Sequence, residues 1–318
     1  MSGAIIVKTL TATENEDGVR VDRLIGKYLD DAPKGFIYKM IRKKNIKVNG
    51  KRAKGDQRVR EGDTVEIYLS DETLERFKKQ KITGSGTIKI VYEDENILIA
   101  DKPRGVLSQT GRSKKASINE DIIAYLLEKG EISENSLNTF RPSVVTRLDQ
   151  NTSGLIMAGK NLNALRELSE MVRDRKIGKY YKCIVEGILT GEKTLEGYHI
   201  CENGINKVRI LDKPLPKASK VICRYKSLER LGANTLLEVE LITGKKHQIR
   251  AQMAHIGHPV VGDVKYGAKS FGKGYALYCE KLLFPKMDGE LSYLSEREFM
   301  ADEPSDFKEM SGITLVAE

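Results

Sequence analysis

SVVTRLDQNTSGLIMAGK, Ser143 to Lys160, is the stretch around which this 318-residue chain is best read. It sets Arg147 and Asp149 two residues apart, then gives an Asn-Thr-Ser-Gly turn, then an apolar run. By itself, Arg-Leu-Asp reads first as an ion pair beside a buried leucine. Two features point further. A turn of Asn, Thr, Ser and Gly directly after Asp149 offers amides and hydroxyls that can hold a carboxylate at a cleft rim. Behind it, GLIMAGK reads as a buried strand, a rigid base for such a group.

The sequence on both sides of this stretch, from Ile88 onward, alternates short strands with a few helices. IKIVYEDENILIADKP gives two strands around an acidic turn, and Asp121 to Lys129 has a helical pattern. Between Asn161 and Asp174, Leu162, Leu165, Leu168 and Val172 share one helical face. KYYKCIVEG, KVICRYKSLE and NTLLEVELITG alternate as strands do. No G-x-G-x-x-G follows a strand, and there is no regular β-α-β alternation. The expectation is therefore an α+β chain whose larger domain, 88–318, is built on a mixed, mainly antiparallel sheet.

The first part of the chain has a different character. Val21, Leu24, Ile25, Tyr28 and Leu29 fall at helical spacing, as do Phe36, Ile37, Met40 and Ile41, with Ala32-Pro33-Lys34-Gly35 between them. Ile46-Lys47-Val48, an Asn49-Gly50 turn and the alternating Val65 to Leu69 then read as short strands. This gives a small helical-plus-short-strand domain over 1–70, with a core from about 18 to 70. The charged segment 71–87, ending in Gly-Ser-Gly, reads as a linker. Charge is concentrated in the small domain. Between Lys34 and Arg60 there are eleven Lys/Arg and one acid, Asp56, a local balance of +10 against a net +9 for the whole chain. Lys39, Arg42, Lys43 and Lys44 lie opposite the apolar stripe of the second helix. A solvated lysine-rich face is the plain reading, but charge this dense favours a polyanion partner.

Composition excludes several classes. No run of about 18 apolar residues exists, so no transmembrane helix is expected. Met1 to Leu10 lacks the apolar stretch of a secretory leader. Cys183, Cys201, Cys223 and Cys279 are scattered with no C-x-x-C pair, which fits free thiols in the cytoplasm better than a disulfide framework or zinc ribbon. His255-x-x-His258 is a possible metal spacing. Gly257 and Pro259 mark a turn there, and no further ligand completes a set, so hydrogen bonding is the expected use and no metal is expected.

Two resemblances draw these readings together. VRVDRLIGKYLDD, YKMIRKKNIKVNGKRAK and REGDTVEIYL resemble the S-four-type RNA-binding domain, which implies binding to structured RNA. TRLDQNTSGLI resembles the R-L-D-x-x-T-S-G-L signature of the RluA-type pseudouridine synthases. The likeness continues in order through DKPRGVL, KYYKCIVEG, LITGKKHQIRAQMAHIGHPVVGDVKYG, ALYCEKLLFPKMDG and EPSDF, spanning Ile88 to Phe307. It implies that Asp149 is the catalytic aspartate, that Tyr181 packs against the target base and that Arg250 pairs with Asp149. Arg147 would fill the space left by the extruded base. Lys245 and Lys246 are candidates for phosphate contacts, or equally solvated loop residues.

The chemistry implied needs these residue types. Turning uridine into pseudouridine breaks the N1–C1′ bond and joins C5 to C1′, so product and substrate contain the same atoms and no cofactor is expected. An ionised carboxylate near sugar and base is required. Burial disfavours a carboxylate's charge, and an adjacent guanidinium counters that tendency and can fix its orientation. Flipping the base out of its stack costs a few kcal/mol, part of which an aromatic face recovers. Two features depart from the family pattern: Thr146 stands where histidine or asparagine is common, and Cys183 where alanine is. The expected protein is a monomeric isomerase acting on structured RNA, large-subunit ribosomal RNA above all. Transfer RNA is the alternative substrate, and a non-catalytic ribosome-assembly factor the alternative function.

Overall fold

The computed structural model describes residues 5–29, 32–77, 84–110, 116–134, 136–138, 140–202, 206–270, 272 and 274–311. It divides into two compact units. One comprises residues up to Gly86 with Ile122–Pro142 and Asn161–Asn163, and the other comprises Thr87–Asp121, Ser143–Lys160 and the chain from Ala164.

In the first unit, β1 (Ile5–Thr11), α1 (Val21–Tyr28), α2 (Lys34–Arg42), β2 (Ile46–Val48), β3 (Lys51–Arg52), β4 (Thr64–Ser70) and α3 (Asp71–Phe77) follow in order. The strands form an antiparallel sheet ordered β1-β4-β2-β3. Val65, Ile67 and Leu69 of β4 alternate inward and join Leu24, Ile25, Ile37 and Met40 in one core. Each such side chain contributes about 1.5–3 kcal/mol by leaving water. Asn49 and Gly50 both take positive φ, 49° and 73°, which closes the β2–β3 hairpin as the Asn-Gly pair predicts.

Three features differ from the sequence reading. Strand β1 lies ahead of the expected core start near residue 18. Its period-2 signal is blurred because Ile5-Ile6-Val7 is a continuous apolar run and Val7 faces solvent. The segment read as a linker begins as α3, where Leu74 is buried and the Phe77 ring sits 4.9 Å from that of Phe36. Residues 78–83 of that segment lie outside the described residues. Finally, α2 ends at Arg42: Lys43 is its C-cap and Lys44 turns left-handed with φ 64°, so two of the four basic residues continue beyond the helix.

The second unit is built on an 11-stranded sheet. Its strands are β5 (Lys89–Glu93), β6 (Ile97–Lys102), β7 (Ser143–Val144), β8 (Ser153–Gly159), β9 (Gly178–Glu186), β10 (Glu192–Cys201), β11 (Val208–Leu211), β12 (Ser219–Leu231), β13 (Asn234–Glu240), β14 (Leu277–Leu283) and β15 (Glu298–Met300). Their order is β11-β10-β12-β13-β9-β14-β8-β6-β5, with β15 beside β14 and β7 beside β8. Only β14 and β8 run parallel among these strand pairs, so the sheet is mixed and mainly antiparallel. The chain is α+β. Helices α4 (Ile118–Glu128), whose residues from Ile122 onward count with the first unit, α5 (Leu162–Arg173) and α6 (Gln248–His255) complete the named elements. On α5 the buried residues are Ala164, Leu168 and Met171, with Leu162, Leu165 and Val172 only half-buried, a rotation of the expected face. Strand β8 is buried along its whole length, as its unbroken apolar run requires.

Candidate active site

Asp149 lies in the loop between β7 and β8. The Thr152 N–H donates to the Asp149 carbonyl at 3.0 Å and closes the turn. Gly154 follows with φ 102°, and a Cβ there would collide with the backbone of Cys279 on β14. The glycine of the Thr-Ser-Gly run is thus what lets β8 enter alongside β14. On the far side of β14, Tyr181 of β9 stands opposite Cys279 in register. Arg250 projects from the first turn of α6. Asp149, Tyr181 and Arg250 line one cleft with Arg147, Lys245 and His247.

The electrostatic centre is Arg250. Its Nη1 donates to Asp149 Oδ2 at 2.9 Å, while Nε and Nη2 fork onto the Asp263 carboxylate at 2.6 and 2.9 Å. The guanidinium stacks 4.1 Å over the Tyr275 ring and lies 5.1 Å from the Tyr266 ring. Burial works against its charge, but the Asp263 hydrogen bonds, Tyr275 and Asp149 outweigh that and raise its pKa above the ordinary arginine value. It is a fixed cation. Tyr275 Oη approaches Asp149 Oδ2 at 3.5 Å, and His247 Nε2 lies 3.8 Å from the same oxygen. The turn amides and hydroxyls expected to hold the carboxylate do not: Thr152 Oγ1 pairs instead with Tyr275 Oη at 3.0 Å. Tyr181 is buried, and burial pushes its phenol well above the ordinary range, so it presents a neutral aromatic face.

A family model described as RNA pseudouridylate synthase matches residues 96–255, about half of the chain. The chain belongs to the RNA pseudouridylate synthase family. A second model, the S4 domain, matches residues 31–65. Ribosomal large subunit pseudouridine synthase C of Vibrio vulnificus (strain CMCP6) is 30% identical over 271 residues, covering 83% of this chain and 82% of that protein. The protein of the same name from Escherichia coli (strain K12) is 30% identical over 276 residues, covering 84% and 82%. In fold, the synthase resembles human RNA pseudouridylate synthase domain containing 4, with a TM-score of 0.56 at 18% identity, covering 70% of this chain and 91% of that one.

Other residues singled out in the sequence are distributed as follows. Arg147 and Lys245 are exposed at the cleft. Lys246 bonds through Nζ to Asn206 Oδ1. In the N-terminal unit, Lys39, Lys43 and Lys44 surround a groove with Lys47 and Tyr68, while Arg42 is exposed outside its lining. His255 Nε2 meets Asp212 Oδ1 at 2.9 Å and His258 Nδ1 meets the Glu186 carbonyl at 2.8 Å, so these two histidines are engaged separately. Thr146 Oγ1 accepts the Met157 N–H at 3.2 Å and supports the backbone. Burial pushes the Cys223 and Cys279 thiols up to about 12 and Cys183 higher still, which leaves them unreactive core groups.

Several residues around Asp149 escaped the sequence reading. Lys102 is fully buried, and its Nζ donates to the carbonyls of Pro103, Val106 and Gln150 at 2.9, 2.8 and 3.2 Å. Burial pushes its pKa down to about 7, while three carbonyls accept the three protons of the charged form. Ser108 Oγ accepts the Leu148 N–H at 2.9 Å and donates to the Leu148 carbonyl at 2.7 Å. Both neighbours of Asp149, Leu148 and Gln150, are therefore tied to the 102–108 segment. Asp263, Tyr266 and Tyr275 were missed as well. A lone lysine closing ILIADK and a lone acid in HPVVGDV were the available signals, since charge inside an apolar run needs a partner.

Proposed function

We propose that this synthase converts specific uridines of large-subunit ribosomal RNA to pseudouridine, in the cytoplasm, with Asp149 as the catalytic carboxylate. The observation that carries the reading is the state of that carboxylate. Arg250 holds Oδ2, and among the described residues no hydrogen bond reaches Oδ1. The side chain is 25% exposed, so one oxygen is anchored while the other remains open to a nucleotide. Such a group can act as nucleophile or proton acceptor while the glycosidic bond breaks and re-forms at C5. Tyr181 supplies an aromatic wall for the flipped base, worth about 1–3 kcal/mol if it stacks. Arg147, exposed beside Asp149, is suited to enter the gap left in the RNA. Lys245 and Lys246 at the catalytic end, with Lys39, Arg42, Lys43 and Lys44 in the N-terminal unit, are the proposed phosphate contacts.

The ribosomal target rests on the relatives named above and on the S4 match, which together favour a large folded RNA over a transfer RNA arm. Mapping pseudouridines in ribosomal RNA from a strain lacking the gene tests it. One or more large-subunit sites should revert to uridine. Unchanged ribosomal RNA with lost modification in transfer RNA would move the substrate there.

A further inference from the structure

His247 occupies an unusual position for a residue with a side chain. It is the N-cap of α6 and takes φ 53°, ψ 20°, the left-handed region that a Cβ disfavours. Strain of this kind persists where the surroundings enforce it, and functional sites are where it gathers. The imidazole is only 8% exposed and lines the cleft beside Asp149.

Both ring nitrogens have defined surroundings. Nδ1 lies 2.9 Å from Tyr266 Oη, with the two rings edge-on at 90°. Tyr266 Oη already accepts the Val208 N–H at 3.1 Å, and among the described residues Nδ1 is the acceptor within reach of the phenol proton. An accepting Nδ1 places the ring proton on Nε2. That nitrogen stands 3.8 Å from Asp149 Oδ2, too far for a hydrogen bond, and Oδ2 already takes Arg250 at 2.9 Å. The groups facing the ring oppose a second proton. Burial acts most strongly and, with the charges of Arg250, Lys265 and Lys246, outweighs the pull of Asp149, so the pKa falls below the ordinary histidine value.

We propose that His247 is a further substrate-contacting residue, a neutral imidazole whose Nε2–H donates a hydrogen bond to an oxygen of the flipped uridine bound beside Asp149. This rests on the reading of Asp149 as the catalytic carboxylate. The nucleotide offers ribose hydroxyls and uracil carbonyls as acceptors, and an oxygen entering near Oδ2 comes within reach of Nε2. No proton is transferred: the ring stays neutral and its N–H orients the acceptor. Tyr266 sets the tautomer and is a positioning residue.

The chain has four histidines, so selective ¹⁵N-histidine labelling gives a tractable spectrum. At pH 7 the His247 ring should be neutral with the proton on Nε2. A proton on Nδ1, or a charged ring, overturns the proposal without any variant having to fold. His247→Leu should lower the single-turnover rate about 10- to 100-fold with RNA affinity unchanged, whereas His247→Gln, which keeps an N–H near the Nε2 position, should stay within about fivefold of wild type. A Leu variant with wild-type rate, measured beside an inactive Asp149→Ala, overturns the role of His247 alone. An active Asp149→Ala overturns the reading of Asp149 and this inference with it.

Discussion

The fork between Arg250 and Asp263 should decide how well Asp149 is held, and Asp263→Asn tests it with the least change of shape. The Asp263 side chain is 1% exposed and accepts two guanidinium hydrogen bonds at 2.6 and 2.9 Å. An asparagine keeps one carbonyl oxygen but turns an amide N–H toward the guanidinium in place of the other. One charge-assisted bond, about 1.5–3 kcal/mol, is lost, and removing one partner of a buried ion pair costs about 3–5 kcal/mol in all. Arg250 retains Asp149 as a counter-charge, so the cost should fall near the lower figure, about 3 kcal/mol. At roughly 2–4 °C per kcal/mol, Tm should drop by roughly 6–12 °C. The loosened guanidinium would let Asp149 drift, and a misplacement of this kind can cost about 100-fold in rate. Thermal unfolding and single-turnover isomerisation measure both effects. A Tm within about 1 °C of wild type, with a rate within about twofold, would refute the claim that Asp263 orients Arg250.

Lys102→Met removes a buried donor to three backbone carbonyls and should destabilise the fold by about 3 kcal/mol or more, read by denaturant unfolding. Lys102 sits at about 7 in the folded chain against an ordinary 10.5, so between those values the unfolded chain holds the extra proton. Stability therefore rises with pH in that window, by at most about 1.4 kcal/mol per unit, and Lys102→Met should lose this rise; equal slopes for the two proteins would contradict it. Replacing Lys39, Lys43 and Lys44 together by alanine should weaken RNA binding and reduce the slope of log affinity against log salt by roughly 2 to 3. An unchanged slope would make the basic patch a solvated face.

Local signals carried much of the fold. The apolar run GLIMAGK became the fully buried β8, and the Asn49-Gly50 turn became the link between β2 and a short β3 that the sequence did not announce. Strand β1 was obscured because its apolar residues do not alternate, and α3 because a single buried Leu74 in a charged segment makes a weak helical signal. The site was legible only through the family motifs. Arg250 and Asp149 meet across 101 residues, and Tyr275 reaches the same carboxylate across 126, distances at which periodicity carries no information. Lys102 and Ser108 were invisible for a related reason: their partners are backbone groups of Leu148 and Gln150, which no side-chain pattern records. Tyr266 Oη comes within 2.9 Å of His247 Nδ1 across 19 residues, a pairing that only the folded chain brings about.

The central claim is that Asp149 performs the isomerisation. Release of tritium from RNA labelled at uracil C5 reports it most directly, because C5 exchanges its hydrogen for the bond to C1′. Wild-type protein should release tritium from unmodified large-subunit ribosomal RNA, and Asp149→Ala should bind the same RNA and release none. Undiminished release by Asp149→Ala would contradict the account.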